Sequence, residues 1–439
     1  MKPRTALFVA LASVALVAGI YEAIRRPGEE QANGGIVRLR FVSLAWQEQA
    51  LRTNRAIVQE WNAAHPAIQV EYVQGTWNSV HDYLITAFET GDVPDVFHYE
   101  SSVIVDFAMR GFLTDLGPMI DEEMRRDITE VAWASVRRPD GQISGIPLLM
   151  ESLIGLYNRD LFEKRGIDPP TFEKPWTWTR LREVAKELTA APAGDGSVDR
   201  WGVAVGLRNS ANIIMNLSIA FGGAYFRKEG DRYVVRVGPE EKLLLSTIDS
   251  MLYVDRSASP SSVGLSGPAL IPGFMQGKYA MVVGIGAWSR QQLAENAPAG
   301  FRWGVIPPLL AATQNTGTSA QTLSIPKRSR HHAEAMRFIK FMTDSTNMAR
   351  LALSDWMLPP RASCMMMPEF RSPRNGWDVT TASAAFLSTG TWLGAPGYVE
   401  WKSRIANPVL QEYFSRRMTL EEAAARIEKE SNVVLSRYQ

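Results

Sequence analysis

The stretch from Ile36 to Gly111 alternates two periodicities, and nothing else in the chain restricts the fold as strongly. "IVRLRFVSL" (36–44) carries the β-branched, every-second-residue pattern of a strand. "EQALRTNRAIVQEWNAAHP" then repeats apolar residues at helical spacing before a proline stop. "IQVEYV" reads as a second strand, Val80 to Thr90 as a helix closed by Gly91, "DVFHYE" as a third strand, and Val103 to Arg110 as a helix closed by Gly111. This βαβαβα start predicts an α/β protein with a mostly parallel sheet covered on both faces. Ligands of such sheets gather at the carboxyl ends of the strands. Here those ends carry Trp46 and Glu48 after the first strand, and Tyr99, Glu100, Ser101 and Ser102 after the third. Each aromatic alone has a plainer reading, as a staple over its own helix or a half-buried rim residue. Their coincidence at two strand ends favours a ligand crevice.

At 439 residues the chain exceeds a single ordinary core and should divide into two lobes. The net charge of +1 gives no overall field for nucleic acid or an anionic membrane surface. Cys364 is the single cysteine, so an intrachain disulfide is impossible and a thiolate zinc site is disfavoured. At the N-terminus, Lys2 and Arg4 precede "TALFVALASVALVAGIY", and the polar "RRPGEEQANGG" follows. Two readings stand: a cleaved secretory signal, or an uncleaved membrane anchor, with basic residues on both flanks. Either one places the body outside the cytoplasm.

Catalytic signatures are missing. The chain has no G-x-S-x-G elbow, no phosphate-cradling G-x-x-x-x-G-K-[ST] and no H-E-x-x-H helix. The glycines of "VVGIGAW" lack the third glycine and acidic partner of a dinucleotide fingerprint, and a glycine-permitted backbone turn explains them better. The scattered histidines nominate no metal site, and no cofactor is expected.

The run "GIPLLMESLIGLYNRDLFEKRGIDPP" (145–170), followed by "PWTWTRLREVAKELT", resembles the extracellular sugar-binding proteins of ABC-type importers, the solute-binding family that includes the maltose-binding protein. The likeness continues in "TGDVPDVFHYES", "WGVAV", "AFGGAYF", "FMQGKYAMVVGIGAWS", "LSIPKRSRHHAEAMRFIKFMT" and "LPPRAS". Departures are the absence of a lipid-acceptor cysteine, Arg159 where lysine is usual, and the inserted "FEKP" before the tryptophan pair.

The resemblance implies a two-lobed periplasmic-binding-protein fold with discontinuous lobes joined by a multi-segment hinge. Crossings are expected near Glu151, near Thr318 to Gln321, and between Pro368 and Asn375. Residues 36–151 and 320–370 would then form one lobe and 152–319 and 371–439 the other, behind an N-terminal segment 1–35. The ligand-binding positions it implies are Tyr99, Ser102, Glu151, Trp288, Arg361 and Trp401, with Gly222 and Gly223 permitting close backbone approach. Trp176 and Trp178 are expected in the core. A sugar presents hydroxyl donors along its edge and C–H patches on its faces, which suits ionised acceptors and aromatic planes. The implied partners are a carbohydrate or polyol and the transmembrane subunits of an ABC permease, served by a monomer that does no chemistry. Two rivals stay open: a membrane-anchored sensor presenting ligand to a receptor, and a secreted glycoside hydrolase using acids such as Glu48, Glu100 and Glu151.

Overall fold

A computed structural model describes residues 35–190, 198–230 and 232–438. The N-terminal segment read as a signal or anchor falls outside them through residue 34. Among the described residues no helix is long and apolar enough to cross a membrane.

The strands in chain order are β1 (Val37–Ser43), β2 (Ile68–Gln74), β3 (Val96–Glu100), β4 (Ile146–Met150), β5 (Leu153–Asn158), β6 (Trp201–Val205), β7 (Phe226–Glu229), β8 (Arg232–Val235), β9 (Tyr279–Gly286), β10 (Trp303–Ile306), β11 (Thr316–Thr318), β12 (Ala320–Ser324) and β13 (Leu387–Thr389). They form two main sheets, ordered β2-β1-β3-β12-β4 and β10-β5-β9-β6. In the first sheet β1 lies parallel to β2 and β3, as the alternating pattern predicts, and only β12 runs against its neighbours. The second sheet is more mixed, because β5 is antiparallel to both β10 and β9.

The helices follow from their sequences. Glu48–Ala64 turns Ala50, Ile57, Val58 and Trp61 inward at helical spacing, and the Trp61 indole N–H donates to the Ile68 carbonyl at 3.0 Å, tying the helix to β2. Val80–Thr90 ends where Gly91 takes φ 83°, a left-handed cap that a side chain would resist.

Each sheet has its own core. Leu39, Phe41, Val96, Ile146 and Leu323 belong to one, and Val203, Val205, Met281 and Ile306 to the other. The chain moves between them through very short links. Only Glu151 and Ser152 separate β4 from β5, and only Ser319 separates β11 from β12. These links lie side by side: the Glu151 N–H donates to the Ser319 carbonyl at 2.9 Å, and the Thr318 hydroxyl to the Glu151 carbonyl at 2.6 Å. A third link joins them, since β13 pairs parallel with β11.

That third passage is drawn out further than the expected boundary after residue 370. Trp377 still belongs to the first core, where it stacks on Trp356 with ring centroids 5.8 Å apart. Trp392, Tyr398 and Trp401 belong to the second. Arg290 explains the delay. Fully buried at the start of a second-lobe helix, it donates to the Asn375 carbonyl at 3.1 Å and lies 4.2 Å from the Trp377 ring, binding this segment to both bodies.

Candidate functional site

Where the carboxyl ends of the first sheet face the second lobe, the structure gathers two acids, a lysine and a ring. Glu100 ends β3 and Glu151 follows β4, so strand geometry fixes both. Lys402 comes from the far end of the chain and crosses the interlobe gap to Glu100, with Nζ 3.3 Å from the carboxylate. It sits at the head of a π-helical turn, Lys402–Ala406, inserted between the helices Tyr398–Trp401 and Asn407–Phe414. Such wide turns recur at functional sites because they re-aim a side chain without breaking the helix.

The surroundings tune each charge. Burial raises the Glu151 acid above its ordinary range, and the nearby Glu100 charge adds to this, while Lys402 and hydrogen bonds with Asn212 and Ser319 oppose it. The Ser319 hydroxyl lies 3.4 Å from the Glu151 carboxylate, so a residue of the interlobe link touches the acid directly. Lys402 is held well above the usual lysine range, first by Glu100. Ser102 donates to Glu100 at 3.0 Å. Tyr398, only 3% exposed, lies beneath the Lys402 ammonium at 5.5 Å, and burial pushes its hydroxyl up to about 12.

A second contact spans the gap. Trp46, after β1, meets Trp288, after β9, edge to face with centroids 5.3 Å apart and planes at 90°. A Cβ on Gly286 would fall 2.3 Å from the Trp288 indole nitrogen, so only glycine lets that ring fold back over the strand end.

The sequence-derived residues therefore divide. Glu151 and Ser102 enter the acid–lysine cluster, and Trp46 and Trp288 form an aromatic pair. Tyr99 borders the cluster but is 6% exposed, packed with Trp77 and Phe107. Glu48 points into solvent and pairs with Arg52 one helical turn on. Gly222 and Gly223 close a helical turn, where Gly222 has φ 86° and Gly223 N–H donates to Ser218 at 2.9 Å; their surroundings are Glu240 and Glu241 of the second lobe. Arg361 is turned away from the gap, because it is buried in the first lobe and its donors go to the Thr343 carbonyl, Glu123 and Asp127 at 2.7, 2.6 and 2.9 Å. Trp401 is a core residue, 1% exposed, packed on Phe226 and donating to Ser431. Its neighbour Lys402 reaches across the gap instead, over the buried ring of Tyr398. Sequence reasoning missed these two and Asn212. "GYVEWKS" contained the first pair, but no periodicity announces a π turn. Asn212 sits in the first turn of the helix that follows β6, a strand-end position of the same kind as Glu100.

Two sheets with separate cores, joined by three adjoining links and meeting across a polar and aromatic gap, define a two-lobed binding protein. Residues 45–349 match the bacterial extracellular solute-binding proteins, and the chain belongs to that family. Its members bind substrates rather than transform them, which removes the hydrolase rival. The chain is 39% identical over 389 residues to an uncharacterised lipoprotein of Streptomyces antibioticus, a match covering 88% of this chain and 84% of that one. Among solved structures, a Listeria monocytogenes ABC substrate-binding protein in complex with cycloalternan superposes with a TM-score of 0.75 at 22% identity, covering 91% of this chain and 99% of the other. The sugar-binding protein MalE of Xanthomonas citri superposes with a TM-score of 0.78 at 18% identity, covering 92% and 98%.

Proposed function

We propose that this protein captures a carbohydrate between its lobes and delivers it to an ABC-type permease. The observation that carries the reading is the convergence of Glu100, Glu151, Lys402 and Tyr398 from both lobes beside the Trp46–Trp288 pair. Carboxylates partly withdrawn from water accept strong hydrogen bonds from hydroxyls, and indole and phenol faces suit the C–H surface of a pyranose. The sugar-binding character of the Listeria and Xanthomonas structures agrees with this chemistry.

Binding works through differential affinity. A ligand held by Glu151 and the first lobe gains the contacts of Trp288 and Tyr398 only when the second lobe closes, so it shifts the open–closed balance. The links at Glu151-Ser152, at Ser319 and through β13 would serve as the hinge, and a permease would read the closed form.

A thermal-shift screen of the soluble body against mono- and oligosaccharides tests this. A saturable rise in Tm with the sugar recovered unchanged is expected, because stabilisation follows the logarithm of ligand excess over Kd. In titrations with a hit, Glu151→Ala and Trp288→Ala should each weaken binding more than about tenfold, a loss near 1.4 kcal/mol, with Tm nearly unchanged. Unaltered affinity in both folded variants would remove these residues from the site.

A further inference from the structure

We propose that the cleft selects carbohydrates by charge, favouring one that carries a protonated amine and rejecting phosphorylated or otherwise anionic sugars. This inference rests on the carbohydrate-binding reading above and adds the chemical class of ligand.

Two carboxylates and one ammonium meet between the lobes. The ammonium is already committed, since Lys402 lies 3.3 Å from Glu100. It also lies over the face of Tyr398, so a phosphate would have to compete with a carboxylate for this cation. Glu151 is the group left over. The charged side chains acting on it are Glu100, from the end of β3, and Lys402, from the π turn. Its hydrogen-bonding neighbours, Asn212 from the second lobe and Ser319 from the hinge, are neutral. The acid is desolvated, and among the described residues no ion pair is formed with it; the Lys402 ammonium that acts on it is paired with Glu100. A protonated amine on the ligand would supply one and bring the local charge to zero.

The ring of Tyr398 lies beside the same charges: it is 3% exposed, sits under the Lys402 ammonium at 5.5 Å, and is within electrostatic reach of Glu100 and Glu151. An amine paired with Glu151 would have this ring as a neighbour.

The proposal also fixes the direction of the pH response. Glu151 must be ionised to pair with the amine, and its environment favours the protonated acid. Amine binding should therefore release a proton and strengthen as pH rises through the titration of Glu151. A neutral sugar, which can accept from the acid or donate to the carboxylate, should show little of either effect.

The test is calorimetric titration of the full soluble body with four probes: the glucosamine disaccharide, its diacetylated form, maltose and sn-glycerol 3-phosphate. The free-amine disaccharide should bind about tenfold or more tighter than the diacetylated one, the difference made by one charge-assisted bond. Its heat should depend on the buffer in the sense of proton release, and its affinity should grow as pH rises through the titration of Glu151, which burial holds above the ordinary carboxylate range. The glycerol phosphate should not bind. Glu151→Gln, whatever its cost to sugar binding in general, should bring the two disaccharides to equal affinity and remove the proton release. Glu100→Gln, which frees Lys402, should admit the glycerol phosphate. Equal affinity for the two disaccharides, phosphate binding by the parent protein, or an amine preference that survives Glu151→Gln would each overturn the charge inference and leave carbohydrate capture standing. Failure of every sugar to bind the folded protein would overturn both.

Discussion

Asp355 shows how much a single position depends on its surroundings. It ends a first-lobe helix, is 5% exposed, and burial alone pushes its acid up to about 7. A carboxyl group whose folded value is raised gives stability that is fully present below its unfolded value near 3.8 and lost as pH rises through about 7. Asp355→Asn should therefore melt higher than the parent at about pH 8 and show no such gain at about pH 4, in paired Tm scans. Nothing in "LALSDWMLPP" announces that burial. The same limit separates Glu151 from Arg361. Glu151 could be nominated through the family resemblance, which put it beside a lobe crossing, and it does lie at such a link. Arg361, nominated in the same way, is turned from the gap, because its direction is set by Glu123 and Asp127, more than two hundred residues away in sequence.

At the level of elements, the turn after β9 belongs to the site as much as the tryptophan it carries. Gly286→Ala would put a methyl group against the Trp288 ring, which must then swing away from Trp46. An edge-to-face pair is worth about 0.5–1.5 kcal/mol, so the variant should bind sugar up to about tenfold more weakly while the sheet stays intact. Calorimetry beside a Tm measurement checks this, and unchanged affinity would show that the ring pair is incidental. Strands and helices near the N-terminus were readable because their periodicities are clean: Val80–Thr90 is found with the bounds its sequence predicts. Tyr398–Phe414 was harder. Straight helical spacing puts Trp401 and Ile405 on a buried face, as observed. Trp401, expected as an aromatic wall, packs in the second core with Tyr398 stacked on it, and the residue that reaches across is Lys402, where the π turn begins.

For the whole molecule, the proposed closure would depend on the contacts across the gap. The Glu100–Lys402 pair is part-exposed, with side chains 30% and 24% accessible, so solvent screening limits it to about 1 kcal/mol or less. Lys402→Met should then shift the free protein toward the open form about fivefold at most. Small-angle scattering should record a larger radius of gyration for the ligand-free variant, and added salt should move the parent in the same direction. Identical scattering from the two proteins would mean that the pair does not hold the lobes together. The linkage on which such a motion would turn has a mechanical consequence. Because β11 and β13 are hydrogen-bonded edge to edge, and the Glu151 link is fastened to Ser319 beside them, the three spans form one thin leaf rather than three separate cords. A leaf bends easily across its face and resists shear and twist within its plane. The lobes should thus swing along a single arc, meeting with the same residues opposed at every closure.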